Sequence, residues 1–218
     1  MTLTVYGASL SPFVRKVCIA LTEKQIPYEQ IQIDPAKLPE NFHELSPFGR
    51  IPALKDGDNV LADSAVILSY LERKYPAHPL SYEDPYLQAK VQWFEKFADY
   101  ELAPNTTFGV FRNRVLMKMM RKECDDAFVE KCLQVKLPPL LDYLEESIQD
   151  NEFIVGDRFT VADIAIASQF VNYSYGDECI DSGRWPKAAA YVERLHGRPS
   201  IAPMITRETA FIDKVLHR

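Results

Sequence analysis

Two short stretches carry residues whose types and spacing could do chemistry. In Gly49-Arg50-Ile51-Pro52-Ala53-Leu54, a proline closes a glycine-containing loop and precedes an apolar pair. Proline has no N–H to give to a ladder, so it belongs at the first residue of a strand or on an edge. An Ile-Pro bond at such a bend is a candidate cis peptide. A cis bond there would turn the Ile51 N–H and C=O outward, where an extended peptide ligand could pair with them. In Ala62-Asp63-Ser64-Ala65-Val66-Ile67, an acidic and a hydroxyl side chain stand just before a helical pattern in which Ile67, Leu68, Leu71 and Tyr75 share a face. Asp and Ser cap helices, and the N–H groups of a helix start attract a carboxylate. Capping alone accounts for Asp63 and Ser64 taken singly. With the strand-opening proline and the tight Asp56-Gly57-Asp58 turn, they outline a compact pocket with peptide-like and anion-like docking groups.

These groups need elements to hold them. Leu3-Thr4-Val5-Tyr6 reads as a short strand ending at Gly7. A loop, Ala8-Ser9-Leu10, leads to Ser11 as N-cap and Pro12 at the first helical position. Val14, Val17, Cys18 and Leu21 then recur at helical spacing. Cys18 falls on that apolar face and reads as core; Arg15 and Lys16 read as solvated helix charges. Tyr28 to Ile33 reads as a second strand with Ile31 and Ile33 on one face. The first unit is therefore β-α-β, with parallel strands and a right-handed crossover. After a polar, proline-dotted segment with a short helix, 52–55 and 59–62 read as a hairpin, followed by the helix from Ser64. This order predicts a four-stranded sheet with the Ser11 helix start, the Pro52 bend and the Ser64 helix start at one edge.

Pro76, Pro79 and Pro85 mark a linker over 77–85, between a domain at 1–76 and a helical one at 86–218. In the second domain a long helix runs from Tyr86 to about Met120, with a possible break at Pro104. Another spans about 127–147 and tolerates Pro138-Pro139 only with a kink. Phe159-Thr160-Val161-Ala162-Asp163-Ile164 has the form of a capping box with a hydrophobic staple. The helix it opens is apolar nearly all round and should lie at the centre of its domain. A further helix covers 185–196.

Composition narrows the function classes. At 218 residues, with a net charge of −6 and no Lys/Arg run, the chain is not built as a general nucleic-acid surface. No signal peptide and no apolar stretch long enough to span a bilayer is evident. Four scattered cysteines, without metal-like spacing, fit free thiols in a reducing compartment, the cytoplasm.

Taken in order, several segments resemble the cytosolic glutathione transferase family: Ser-Pro-Phe-x-Arg-Lys-Val, Ser-Pro-Phe-Gly-Arg-Ile-Pro-Ala-Leu, Asp-Ser-Ala-x-Ile-x-x-Tyr-Leu and Phe-Thr-x-Ala-Asp. The resemblance covers nearly the whole chain. It implies an α/β thioredoxin-like N-terminal domain, an all-α C-terminal domain and a homodimer. It also implies glutathione as co-substrate, no metal, and a hydrophobic electrophile as second substrate in a detoxifying conjugation.

By position, Ser11 resembles the hydroxyl of the serine-type classes that hydrogen-bonds the glutathione sulfur. Ser9, two residues earlier, is its rival, and a plain helix cap is the bland alternative. Ile51 resembles the residue whose backbone pairs with the cysteinyl part of glutathione. Ser64 resembles the donor to the γ-glutamyl carboxylate, and Asp63 the partner of its ammonium. Asp63 is one methylene shorter than the Glu many relatives carry. Lys37 and Arg50 resemble the basic groups near the glycine carboxylate. The resemblance places the second substrate over the sulfur, between Ser9-Leu10 and the long helix carrying Phe108, Phe111, Arg112 and Val115; those aromatics could equally be core. Alternatives within the same fold are a glutathione-dependent isomerase or reductase, and a non-catalytic binding protein.

Overall fold

The computed structural model describes residues 3–148 and 151–217. They form two compact units, Met1–Glu83 and Asp84–Arg218.

The first unit is built on a four-stranded mixed sheet in the order β2-β1-β3-β4. Its strands are β1 (Leu3–Tyr6), β2 (Tyr28–Ile31), β3 (Ala53–Asp56) and β4 (Asn59–Ala62). β1 runs parallel to β2 and antiparallel to β3, and β3–β4 is the expected hairpin. Helix α1 (Pro12–Glu23) makes the crossover, and α2 (Ser64–Lys74) follows the hairpin. β2 stops two residues earlier than its apolar pattern predicts. Ile31 faces solvent, while Ile33, beyond the ladder, is buried with Phe42 and Ala53. Alternation holds only while the chain stays pleated. β2 is an edge strand, and once it leaves the ladder after Ile31 the next apolar residue is free to turn inward.

Two polar clusters lock this unit. Asp56 Oδ2, at the end of β3, accepts from Tyr70 at 2.8 Å, Tyr75 at 3.2 Å and the Lys74 ammonium at the end of α2. Lys24, only 4 % exposed, places its ammonium 2.9 Å from Glu72 Oε2. The other oxygen of Glu72 accepts the Leu80 N–H and the Ser81 hydroxyl, both at 3.0 Å.

The second unit is all helical. Helix α3 (Pro85–Phe97) continues through a wide-turned π segment (Ala98–Leu102), one turn of α4 (Ala103–Asn105), a second π segment (Thr106–Leu116) and α5 (Met117–Met119). Next come α6 (Asp126–Lys131), a third π segment (Cys132–Lys136) and α7 (Leu137–Ile148). The chain therefore stays helical through Pro104, without the break considered there, and through Pro138-Pro139, as the sequence reading allowed. Pro104 and Pro138 each follow a residue whose N–H reaches five residues back, Ala103 to Ala98 and Leu137 to Cys132. Proline lacks the N–H that a four-residue ladder needs and its ring crowds the carbonyl there. The helix accommodates this by widening just before it. Two wide segments also meet closely: a Cβ added at Gly109 would lie 2.6 Å from Cys132 Sγ.

α8 (Val161–Tyr175) is buried at every residue except Ser174, as an all-round apolar helix must be. Its capping box is present. The Asp163 carboxylate accepts from Thr160 N–H and hydroxyl at 2.8 and 2.9 Å, from Ile154 N–H at 2.9 Å and from Tyr191 at 2.7 Å. α9 (Pro186–His196) is capped from outside itself: Glu145 on α7 accepts the N–H groups of Lys187 and Ala188. The chain finishes with α10 (Ala202–Leu216), a helix for which the sequence reading had no counterpart.

Candidate functional site

Strand pairing brings the separate segments of the first unit to one end of its sheet. Tyr6 at the end of β1 opposes Ala53 at the start of β3, and Ala53 opposes Ala62 at the end of β4. The Gly7–Ser11 loop, the Ile51-Pro52 bend and Asp63-Ser64 therefore leave the sheet side by side. Gly7 is packed to the limit of this arrangement. A Cβ there would stand 2.4 Å from Val14 Cγ2 and 3.3 Å from Ile51 Cβ. Only a residue without a side chain lets α1 and the Ile51 bend approach this closely.

Ser11 is the N-cap of α1. Its backbone is extended (φ −77°, ψ 123°), Pro12 follows at the helix start, and its Oγ accepts the Val14 N–H at a long 3.4 Å. A hydroxyl in that bond keeps its own proton to donate. It also stands where the first N–H groups of the helix concentrate positive potential. The Ile51-Pro52 peptide is cis. Ile51 is half-buried against the Ile33–Phe42–Ala53 cluster, on which Leu38 also packs. This puts Lys37, one residue before Leu38, beside the same cluster. The Lys37 and Arg50 side chains are exposed, and Arg50 donates its N–H to Ser46 Oγ at 3.0 Å.

Asp63 is the N-cap of α2, and both cap bonds fall on one oxygen: Oδ1 accepts Ala65 N–H at 2.9 Å and Val66 N–H at 3.2 Å. Its backbone lies at φ 76°, ψ 127°. Side chains rarely adopt positive φ because the Cβ clashes, and holding one there costs about 1–3 kcal/mol. Ser64, the first helical residue, is 4 % exposed.

The sequence reading missed two features here. Arg15 and Lys16 are each only 1 % exposed, not solvated. The signal was available, because Ile19 and Ala20 extend the apolar pattern of α1 beyond one face, and a helix apolar all round is a buried one. The second feature is a pair of amides, Gln30 in β2 and Gln32 just beyond its end, which bind the loop before Ser11.

In the second unit, the residues grouped as a candidate substrate face divide. Phe111 and Val115 are core, Phe111 lying 6.1 Å from the Tyr175 ring. Phe108 and Arg112, four residues apart, face outward. Among the described residues there is no cluster of His, Cys, Asp and Glu able to bind a metal ion, and no helix long and apolar enough to cross a membrane.

Residues 5–79 match the description "Glutathione S-transferase, N-terminal domain", and residues 112–207 match "Glutathione S-transferase, C-terminal domain". A glutathione S-transferase of Hyoscyamus muticus is 31 % identical over 92 % of this chain and 96 % of its own. FtsZ-localized protein A of Caulobacter vibrioides is 25 % identical over 93 % of this chain and 90 % of its own.

 Among solved structures, a glutathione S-transferase from Rhodospirillum rubrum superposes with a TM-score of 0.85 at 25 % identity, over 93 % of this chain and 91 % of that one. Its sheet, its helical second unit and these matches place the chain in the glutathione S-transferase family.

Proposed function

We propose that the protein is a glutathione transferase of the serine type, which holds glutathione as a thiolate and directs it at an electrophile. The observation that carries this reading is the convergence of three features at one sheet end: the Ser11-capped helix start, the cis Ile51-Pro52 bend and the Asp63-capped start of α2. In this reading the Ile51 backbone pairs with the cysteinyl part of glutathione. Ser64 donates to the γ-glutamyl carboxylate, and Asp63 meets the ammonium through Oδ2, since Oδ1 carries both cap bonds. Arg50 and Lys37 take the glycine carboxylate. Ser11 donates to the sulfur.

The chemistry this asks of Ser11 is modest. A thiol with a pKa near ~8.5 is mostly protonated at neutral pH, and the thiolate is the nucleophile. Lowering that pKa by about two units corresponds to about 2.7 kcal/mol. One hydrogen bond to a charged group contributes about 1.5–3 kcal/mol, and a helix N-terminus adds about 0.3–1 kcal/mol. The helical unit takes the electrophile, through the outward pair Phe108 and Arg112, and Arg112 favours anionic or carbonyl-bearing compounds. The protein acts in the cytoplasm as a homodimer.

The test is the ultraviolet absorbance of bound glutathione thiolate against pH, for wild type and Ser11→Ala, alongside turnover of a panel of electrophiles. Thiolate well below pH 8 in wild type, lost in Ser11→Ala, is the expected result. Glutathione that binds but titrates as it does free in solution refutes thiol activation. The similarity to FtsZ-localized protein A supports a second reading, a non-catalytic binding protein of this fold. Bound, unactivated glutathione without turnover selects that reading.

A further inference from the structure

The loop before Ser11 is tied down by two side-chain amides, Gln30 in β2 and Gln32 just beyond its end. Gly7 N–H donates to Ile31 O at 3.0 Å, closing the end of the parallel ladder. Beside it, Gln30 Nε2 donates to Gly7 O at 3.2 Å and to Ser9 Oγ at 3.3 Å. Gln32 makes a two-point clasp on Ser9: its Oε1 accepts the Ser9 N–H at 3.1 Å, and its Nε2 donates to Ser9 Oγ at 2.8 Å.

The backbone fixes which end of each amide is which. A peptide N–H can only donate, so the atom of Gln32 that meets Ser9 N–H is oxygen, and the atom on Ser9 Oγ is nitrogen. A peptide carbonyl can only accept, so the atom of Gln30 that meets Gly7 O is also nitrogen. A serine hydroxyl has two acceptor positions and one proton. At Ser9, amide donors fill both acceptor positions. Its proton therefore has no role left on that side and must be given to an acceptor elsewhere. Ser11 is less constrained, with a single long bond to Val14 N–H.

We propose that Ser9 is a second hydroxyl donor to the sulfur, made an obligate donor by Gln30 and Gln32, which act as positioning residues. The inference rests on reading this sheet end as a thiolate site. It makes the activating group a pair of hydroxyls on one loop, Ser11 at the helix start and Ser9 directed by the amides of Gln30 and Gln32.

The experiment is the same thiolate titration, extended to Ser9→Ala, Gln32→Glu and the double variant Ser9→Ala/Gln32→Glu. Ser9→Ala should raise the pKa of the bound thiol by about one unit, a tenfold loss of thiolate at neutral pH, which one hydrogen bond to a charged group supports. Gln32→Glu keeps an acceptor for the Ser9 N–H but replaces the amide donor with a second acceptor. The Ser9 proton then turns back to the carboxylate, and the thiol pKa should again rise. A new negative charge would raise it too, and the double variant separates the two causes. Reversal of the Ser9 proton predicts that Gln32→Glu adds almost nothing once Ser9 is alanine; charge repulsion predicts an equal rise in both backgrounds. An unchanged thiol pKa in Ser9→Ala, or equal rises in both backgrounds, overturns the proposal. If the thiolate shift is lost in Ser11→Ala yet untouched in Ser9→Ala, the transferase reading stands and this inference falls. If wild-type bound thiol titrates like free glutathione, both fall.

Discussion

Asp63 combines a helix cap with a backbone conformation that side chains avoid, and the two can be separated by substitution. Asp63→Ala removes the oxygen that accepts the Ala65 and Val66 N–H groups at 2.9 and 3.2 Å. An N-cap lost to alanine costs about 1 kcal/mol. The alanine Cβ must still occupy φ 76°, so the strain stays. Asp63→Gly loses the same side chain, but glycine at a cap costs only about a few tenths of a kcal/mol. Glycine also relieves strain of at least about 1 kcal/mol, since it has no Cβ. The glycine variant should therefore be more stable than the alanine variant by about 1.5–2 kcal/mol. In a protein of this size that is about 3–8 °C in thermal midpoint. If the strained carboxylate is held there to meet a ligand ammonium, both variants should also lose affinity for glutathione by at least about tenfold, roughly the 1.4 kcal/mol of one charge-assisted hydrogen bond. Thermal or urea unfolding reads the first quantity, and calorimetric titration with glutathione the second. A glycine variant no more stable than the alanine variant refutes the strain argument. A glycine variant with full glutathione affinity refutes the role given to the carboxylate.

Other consequences can be measured directly. Asp163→Ala strands four buried donors, from Ile154, Tyr191 and twice from Thr160. At about 1–3 kcal/mol each, the loss approaches the 5–15 kcal/mol stability of a typical domain, so circular dichroism should show the helical unit unfolded or close to it. The acid limb of unfolding should depend on Asp56. The bonds from Lys74 chiefly hold its carboxyl below the usual range, so the unfolded chain takes up a proton before the folded one does. The resulting stability is full above about pH 3.9 and is lost as the pH falls through the lower folded value. Asp56→Asn should flatten that limb. Asp163 acts with the opposite sign, because burial raises its pKa: its folded form holds the proton longer, and its contribution declines as the pH rises from about 3.9 toward the folded value. Gly109→Ala should destabilise by about 1–2 kcal/mol despite alanine's better helix propensity, because the new methyl group meets Cys132 Sγ. Combining it with Cys132→Ala should recover part of the loss, as unfolding in urea would show.

The parts of the fold readable in advance were those with local causes. Ser11-Pro12, Asp63 and the Thr160–Asp163 box were legible as helix starts because caps depend on a few adjacent residues. The hairpin at Asp56-Gly57 and the cis bond at Pro52 were legible for the same reason. What failed depended on distant partners. Ile33 turns inward only because Phe42 and Ala53 wait beyond the ladder. Arg15 and Lys16 were judged by charge rather than by the apolar run around them. Phe111 and Val115 were indistinguishable in sequence from Phe108 and Arg112, since in a π segment the turn is too wide for a 3.6-residue pattern to sort inside from outside. At the candidate site, cap positions could be read but not the glutamine clasp on Ser9, which joins residues more than twenty positions apart.

The π segments also bear on how such a helix can diverge. A wide turn holds one residue more than an α-helical turn, so each segment is in effect an insertion absorbed without lengthening the rod. Flanking stretches keep their docking, while the residues between are re-aimed by about 100° for each residue gained or lost. In the stretch Thr106–Leu116, a single codon deletion would swing Phe108 and Arg112 to a new heading while α3 and α8 stay where they are. The outward surface around Phe108 and Arg112 can thus be retuned by changes in length as readily as by changes in residue type.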